Sequence, residues 1–386
     1  MSDIRRMTGS PWARGVLALA TLAVVLVAPL YLDRFWLQLG YFCFAAAVGA
    51  LGLNLLTGFT GQLSFAHGFF LAVGAYTYVF LASDEGEAVG VALSGASLPS
   101  WLAAVLAISA AGLAGLLFSP ISGRLRGIYL GVASLALVFI GQHILLNYES
   151  VTGGFNGRDV PELSLFGLTF GDSEPPLTVL GVVFGREEWL WYLGAAVLLC
   201  AFVCARNIVR GRPGLAMQLI RDNEMAAASM GVDVPRYKAS AFVLSSLYAG
   251  CAGLMVALAL ERAVPDYFGL ALSIAYIVMV VIGGLGSLWG SVAGAFFVVA
   301  LPEILSRYVG SIPFLSEPGT GGVGAAELAD YVYGGLVIAV IVFVPRGLAG
   351  VWTSLVAKLP APAVSAPAPA GASSVPTSAG RSDTSV

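Results

Sequence analysis

Gln62, Ser64 and His67 bring hydrogen-bonding and ionisable groups into an otherwise apolar segment that runs from Asn54 to Tyr78. Glycines punctuate the same segment, and an irregular backbone at membrane depth exposes N–H and C=O groups that lipid cannot satisfy. The segment must therefore be buried in protein or line an aqueous passage. A polar side chain there either contacts a passing solute or hydrogen-bonds to a neighbouring helix, and both interpretations stay open for His67. The candidate pathway residues of this segment are Gly61, Gln62, Ser64, His67 and Gly74.

A second glycine-rich segment interrupts the apolar sequence between Ile282 and Ala295. Small residues at this spacing either let two helices approach closely or, as in the first segment, form part of a passage. The residue pattern leaves both interpretations open. Four residues here therefore join the candidate pathway: Gly283, Gly284, Gly286 and Ser287.

Residue patterns typical of catalysis or metal binding are missing from this sequence. It contains no G-x-x-x-x-G-K-[ST] phosphate loop, and no Ser/His/Asp constellation or metal-ligand cluster falls in one region. The cysteines lie within apolar segments, where packing is favoured over a metal or redox pair: Cys43, Cys200, Cys204 and Cys251. We expect no catalytic residue, no metal site, no cofactor bound by this chain and no enzymatic activity. If transport is driven by ATP, another polypeptide must hydrolyse it.

The composition places these segments in a polytopic membrane protein. Of the 386 residues, 58% are hydrophobic and only 11% are charged, and the mean hydropathy is +0.88. A spanning helix takes about 20 apolar residues. Windows of that length predict an all-α fold of about ten transmembrane helices, including a retained first helix, with glycine-rich broken segments. The predicted spans are 14–32, 36–56, 63–82, 99–119, 128–147, 189–206, 239–260, 268–283, 287–308 and 330–345.

The distribution of basic residues predicts the orientation. With ten spans and a cytoplasmic N-terminus, most of the 19 Lys and Arg residues fall in cytoplasmic loops, as the positive-inside rule requires. The opposite loops at 83–98, 149–188 and 309–329 are acidic or nearly uncharged. Both termini are therefore predicted to be cytoplasmic. Residues 1–350 are predicted to form the transmembrane domain, and the Pro/Ala/Ser-rich residues 351–386 a disordered cytoplasmic tail.

The hydrophilic segment 213–231 between the sixth and seventh spans predicts a short amphipathic helix. Pro213 suits a first helical turn and Gly231 a helix end. Leu215, Leu219, Ala226 and Met230 fall on one face of this helix. Such a helix lies on the membrane or docks into a protein groove, and its polar face of mixed sign favours the groove.

The outer loop at 149–188 contains the sequence VTGGFNGRDVPEL. Its small residues permit tight turns with positive φ. The loop is either a surface turn or part of a docking platform for a substrate-binding protein. The residues concerned are Gly153, Gly154, Asn156 and Gly157.

Three blocks of sequence resemble the permease subunit of branched-chain amino acid ABC importers. They are TGFTGQLSFAHGFFLAVGAY; RGIYLGVASLAL with VTGGFNGRDVP; and IRDNEMAAASMGVDVPRYKASAFVLSSLYAGCAGL with VVIGGLGSLWGSVAGA. The resemblance implies an ABC importer permease fold in a bacterial inner membrane. It also implies that the 213–231 segment is the coupling helix that contacts an ATPase, although Met225 separates the glutamate and alanine that are adjacent in the common pattern. The implied coupling residues are Arg221, Asp222, Glu224, Ala227 and Gly231.

The partners follow from the same resemblance. It implies a heterodimer with a related permease, two ATPase subunits that bind ATP and Mg²⁺, and an extracytoplasmic protein that delivers Leu, Ile or Val; no nucleic acid is expected. A urea or short-chain amide importer is the alternative within the superfamily. An ATPase-independent channel or secondary carrier and a purely structural membrane subunit are alternatives from other classes. The sequence disfavours an ion-coupled carrier, because no Asp, Glu, Lys or Arg lies centrally in any predicted span.

Overall fold

The computed structural model describes residues 25–88, 91–125, 127–165, 168–171, 177–179, 182–309, 325–344 and 347–350. The predicted first span at 14–32 lies mostly outside these residues, and the predicted tail at 351–386 lies wholly outside them.

Twelve α-helices occupy the described residues. They are α1 (Arg34–Asn54), α2 (His67–Ala82), α3 (Ser100–Arg124), α4 (Ile128–Asn147), α5 (Glu149–Thr152), α6 (Arg186–Arg210), α7 (Arg212–Asp222), α8 (Glu224–Ser229), α9 (Val234–Leu260), α10 (Leu270–Gly283), α11 (Leu288–Val309) and α12 (Ala325–Phe343). Short 3₁₀ turns lie at Ala28–Leu30, Gly154–Asn156 and Pro265–Phe268.

The predicted all-α fold is confirmed. Within the described residues, each predicted span from the second to the tenth coincides with a helix. Six helices of this part of the chain are long and apolar enough to cross a membrane, and three more are apolar but shorter. Two of the three shorter helices, α2 and α10, adjoin the glycine-rich breaks.

The core is built around α1 and α9. The most apolar 18-residue window of α1 is 89% buried, whereas the equivalent window of α6 is only 17% buried. Helix α9 packs against α1, α2 and α3. Small residues allow these approaches, since a Cβ at Gly74 of α2 would lie 2.3 Å from the Gly250 carbonyl oxygen of α9. Helix α6 is consequently peripheral, and α1 and α9 hold the breaks in place.

The strands form four separate two-stranded antiparallel ribbons. They pair β1 (Gly86–Ala88) with β2 (Val91–Leu93), β3 (Arg158–Asp159) with β8 (Arg262–Ala263), β4 (Ser164–Leu165) with β5 (Leu168–Thr169), and β6 (Leu177–Val179) with β7 (Val182–Phe184). The β3–β8 ribbon fastens the 149–188 loop to the C-terminal end of α9 through the register Arg158↔Ala263.

The prediction of a single amphipathic helix at 213–231 is wrong, because the segment forms two helices, α7 and α8, with a break at Asn223. Asn223 has an extended backbone, and its Oδ1 accepts hydrogen bonds from the N–H groups of Met225 and Ala226, each at 3.0 Å. An asparagine that caps a new helix competes with continuation of the preceding one. The polypeptide therefore turns at this residue.

Candidate functional site

The first glycine-rich segment breaks the helical structure between α1 and α2. After Asn54 the helix loosens into a π-helical turn, Leu55–Phe59, and residues 61–66 are non-helical. Gly61 has φ +72°, a conformation that side chains other than glycine rarely adopt. The irregular backbone predicted from the sequence is therefore present; Gln62, Ser64 and Ala66 in it are buried, whereas Gly61 is exposed.

Asn54 joins the two glycine-rich segments. This residue is fully buried. Its Oδ1 accepts a hydrogen bond from the backbone N–H of Gly286 at 2.9 Å, and its Nδ2 donates to the carbonyl of Ser287 at 3.1 Å. Two segments more than 220 positions apart in the chain are thus held by one amide, which we call the Asn54 clasp. Among the described residues, the Gly286 N–H has no other partner, whereas the Ser287 carbonyl also accepts hydrogen bonds from the backbone N–H and the Oγ of Ser291.

The clasp requires glycine at position 58. A Cβ at Gly58 would lie 1.8 Å from the Asn54 Oδ1 and 2.5 Å from the Gly286 nitrogen, distances at which atoms overlap. Because Gly58 has no side chain, its carbonyl oxygen also stays accessible. That oxygen accepts a hydrogen bond from Arg221 Nη1 at 2.5 Å. Gly58 is therefore the point where α7 contacts the break between α1 and α2.

Gln62, Ser64 and His67 are buried within the chain. The Gln62 amide nitrogen donates to Thr60 Oγ1 at 3.2 Å and to the Lys238 carbonyl at 3.3 Å, and Ser64 Oγ accepts from a nearby backbone N–H. The His67 ring packs edge to face against Tyr276 of α10, with centroids 4.7 Å apart. Within the described part of the chain, the Gln62 Oε1 and the His67 Nε2 have no hydrogen-bond partner. These two atoms are therefore buried polar atoms whose hydrogen-bonding capacity is unused within that part of the chain.

The remaining candidate pathway residues fall into different places. Gly74 lies at the α2–α9 contact, and Gly283 and Gly290 lie at the α10–α11 contact, where a Cβ on either would be 2.2 Å from the other's carbonyl oxygen. Gly284 is buried in the turn that follows, with φ 110°. Gly286 and Ser287 lie on the clasp. The structure therefore places Gly61 and Gly286 beside the same residue, Arg221, and places Gly74 and Gly283 at helix contacts.

Helices α7 and α8 have one face turned inward and one turned outward. The inward face consists of Met217 and Ile220 of α7 and Ala227 of α8, all buried. The outward face consists of apolar side chains that we call the outer apolar face: Leu215 (60% exposed), Leu219 (41%), Met225 (77%) and Met230 (72%). Gly231 follows α8 with φ +82°. An exposed apolar cluster of this kind is typical of a docking surface.

Two polar links anchor the α7–α8 pair to the breaks. The first is the hydrogen bond from Arg221 to Gly58; Asp222, the neighbour of Arg221, remains exposed, with an Oδ1 3.7 Å from Arg221 Nε. The second is an ion pair between Glu224 and the buried Lys238, whose own carbonyl accepts from Gln62. Any displacement of α7 and α8 must therefore move the glycine-rich segments or break these two links.

A cavity of about 570 Å³ opens beside the clasp. Gln62, Ser64 and His67 are not among its lining residues. Its wall contains three arginines, one carboxylate and several aromatic or aliphatic side chains: Phe59, Phe202, Arg206, Val209, Arg210, Gln218, Arg221, Asp222, Leu285, Gly286, Ser287, Leu288 and Trp289.

The outer loop is tightly turned, as its glycines predict. Gly153, Gly154 and Gly157 have φ values of +75°, +58° and +68°, and Asn156 ends the 3₁₀ turn between them. The loop is closed by Arg158, which is buried and donates to the carbonyls of Ser94 (2.5 Å), Val151 (3.2 Å) and Asp84 (3.1 Å). Burial lowers the pKa of the Arg158 guanidinium from its usual value.

Sequence analysis missed Asn54, Arg158 and Lys238. Asn54 is a polar residue in an apolar helix next to the first break, and that position was an available signal. Arg158 follows directly on the glycine run of the outer loop. Lys238 appeared as one basic residue among several, and nothing in the sequence indicated its burial. Among the described residues, no group of three or more His, Cys, Asp or Glu side chains could hold a metal ion.

Comparison with known proteins identifies one family and several similar permeases. Residues 37–341 match the family described as branched-chain amino acid transport system / permease component. The high-affinity branched-chain amino acid transport system permease protein LivM of Salmonella typhimurium is 27% identical over 350 residues, which cover 88% of this chain and 76% of LivM. LivM of Escherichia coli gives the same values. The permease protein LivH of Salmonella typhimurium is 25% identical over 310 residues, which cover 79% of this chain and 91% of LivH.

Proposed function

We propose, from the premise that this chain belongs to the family of permease components of branched-chain amino acid transport systems, that it translocates leucine, isoleucine and valine as one subunit of a binding-protein-dependent ABC importer. The family is one of transport permeases, and the chain is a multi-pass membrane protein. ATP, with Mg²⁺, is hydrolysed by two separate subunits. The second permease of the proposed heterodimer is a relative of this chain, since both LivM and LivH are similar to it.

The observation that carries the proposal is the two-sided character of α7 and α8. Their outer apolar face is exposed, while Arg221 and Glu224 on the same helices are linked to Gly58 and Lys238. An ATPase bound to the outer apolar face would transmit its movement to the glycine-rich segments through these two links. ATP-driven movement would thereby reach the Asn54 clasp and switch the access of the passage. In this proposal α7, α8 and both termini lie on the cytoplasmic side, and the turn at 153–158 faces the binding protein.

The cargo follows from the chemistry of the buried residues together with the relatives. A zwitterionic amino acid with an apolar side chain needs neutral polar contacts and an apolar passage, and Gln62 and His67 each offer a buried atom without a hydrogen-bond partner among the described residues. The relatives are named as branched-chain amino acid permeases. We therefore propose Leu, Ile and Val as the cargo, with urea as the alternative that the uptake assay below tests.

The test is a change confined to the outer apolar face. Met225→Asp introduces a charge at a 77% exposed side chain and should abolish co-purification of the ATPase subunits and uptake of radiolabelled leucine. Met225→Leu is the matched control, because it keeps the apolar surface. Radiolabelled urea measured in the same cells decides the cargo. Leucine uptake that persists in Met225→Asp, with no ATPase co-purifying with the unmodified protein, would instead support an ATPase-independent carrier.

A further inference from the structure

We propose that the cavity beside the clasp is a binding site for the headgroup of an anionic phospholipid. Three of its wall residues are arginines, Arg206, Arg210 and Arg221, and one is a carboxylate, Asp222. Three positive charges and one negative charge leave the wall with two excess positive charges. A phosphate diester is the membrane component that complements this charge.

Arg206 and Arg210 are the residues available to such a ligand. They lie four positions apart on α6, and therefore on one face and about 6 Å apart along the helix axis. Among the described residues, neither guanidinium has an ion-pair or hydrogen-bond partner. Arg221, in contrast, is occupied by the Gly58 carbonyl and lies near Asp222. The two free guanidinium groups can hold the two unesterified oxygens of one phosphate.

The rest of the wall suits the glycerol and acyl part of a lipid better than a soluble anion. The rings of Phe202 and Trp289 are in contact, with centroids 4.5 Å apart and their planes tilted by 50°. Trp289 is 73% exposed and Leu285 is 53% exposed, although both adjoin a charged cavity. Exposed tryptophan beside arginine is typical of the level of lipid headgroups. Helix α6, which supplies both arginines, is the least buried of the long apolar helices in the described residues.

The position of the cavity links a bound lipid to the moving part of the molecule. Gln218, Arg221 and Asp222 of α7 form one side of the cavity, and Gly286 and Ser287 form another. A headgroup held there would contact α7 on one side and the Gly286 and Ser287 part of the Asn54 clasp on the other. This site is separate from the outer apolar face, so it can be tested without any ATPase.

The experiment measures lipid binding to the purified full-length chain by native mass spectrometry. Phosphatidylglycerol and phosphatidylcholine with identical acyl chains are titrated in parallel, and inorganic phosphate is added in millimolar excess in a third series. At about fivefold in affinity per arginine, the unmodified chain should prefer phosphatidylglycerol by about 25-fold. Arg206→Gln with Arg210→Gln should remove this preference. Arg124→Gln with Arg236→Gln, which removes the same two positive charges from exposed residues outside the cavity, should leave it unchanged.

Three outcomes would overturn the proposal. One is equal binding of the two lipids by the unmodified chain. A second is an unchanged preference in the Arg206→Gln, Arg210→Gln variant. The third is displacement of phosphatidylglycerol by inorganic phosphate, which would identify a site for soluble anions. The lipid comparison on the unmodified chain needs no substitution, so a variant that fails to fold leaves the test intact.

Discussion

Replacing Gly58 with alanine is the sharpest test of the Asn54 clasp. The added methyl group would lie 1.8 Å from the Asn54 Oδ1 and 2.5 Å from the Gly286 nitrogen. These two atoms are the acceptor and the donor of one hydrogen bond. The methyl group must therefore separate the partners or displace the backbone that presents the Gly58 carbonyl to Arg221.

The expected loss of stability combines two terms. Forcing a methyl group into filled space costs about 1–3 kcal/mol. Losing the hydrogen bond between Asn54 and Gly286 costs about 1 kcal/mol more. Gly58→Ala should therefore destabilise the protein by about 2–4 kcal/mol. Leucine uptake should fall further than the amount of folded protein, because the Arg221 link shares the same backbone.

Thermal unfolding of the detergent-purified chain and uptake in cells, normalised to the amount in the membrane, are the two measurements. Gly123→Ala is the matched control, since it makes the same change near the end of α3, where a Cβ would meet no atom within 4 Å. Alanine is the better helix former, so the control should unfold at the same temperature or slightly higher. Equal stability and equal uptake in the two variants would refute the clasp.

Other substitutions test the remaining links. Arg158→Met removes a buried donor to three carbonyls and should destabilise the protein by about 3 kcal/mol or more. Its control, Arg262→Met, breaks an exposed ion pair with Asp159 and should cost less than about 1 kcal/mol. Equal shifts of the unfolding temperature in the two variants would contradict this prediction. Glu224→Gln leaves the Lys238 ammonium buried beside a neutral amide and should cost about 3 kcal/mol, and adding Lys238→Met should recover most of the loss in the same thermal assay. Asn54→Ala removes both clasp hydrogen bonds and should lower uptake as strongly as Gly58→Ala; undiminished uptake would show that the clasp does not transmit movement.

Helix positions could be predicted from the sequence because apolar length alone fixes them. The spans predicted at 36–56 and 128–147 lie within two residues of α1 and α4 at each end. The length of the amphipathic segment could not be predicted in the same way, because its apolar period continues across Asn223. One side chain that caps a new helix outweighs that periodicity locally. The same Asn223 was visible in the sequence, but residue type alone does not distinguish a cap from a solvated helical residue.

The candidate site was predicted in its parts but not in its connections. Glycine content identified both breaks, and the hydrophilic segment predicted helical structure at 213–231, although as one helix rather than two. The two breaks and α7 are held together by contacts between residues that are far apart in the chain, such as Asn54 with Gly286 and Arg221 with Gly58. No periodicity in one sequence encodes such pairings. The burial of Lys238 could not be predicted for the same reason, because it depends on Glu224 and on the packing of α9 rather than on its neighbours in sequence.

The contacts that Gly58 makes with Asn54, Gly286 and Arg221 explain why glycine, rather than a polar residue, occupies this position in the break. A side chain at position 58 would shield the carbonyl that Arg221 contacts and would displace the Asn54 amide. Backbone carbonyls accept hydrogen bonds without adding a charge, so α7 can be anchored to the breaks without an additional buried carboxylate. A hydrogen bond of this kind contributes about 1–3 kcal/mol. That range is small enough for the proposed movement of α7 to break and re-form the link while the α1–α9 core stays intact.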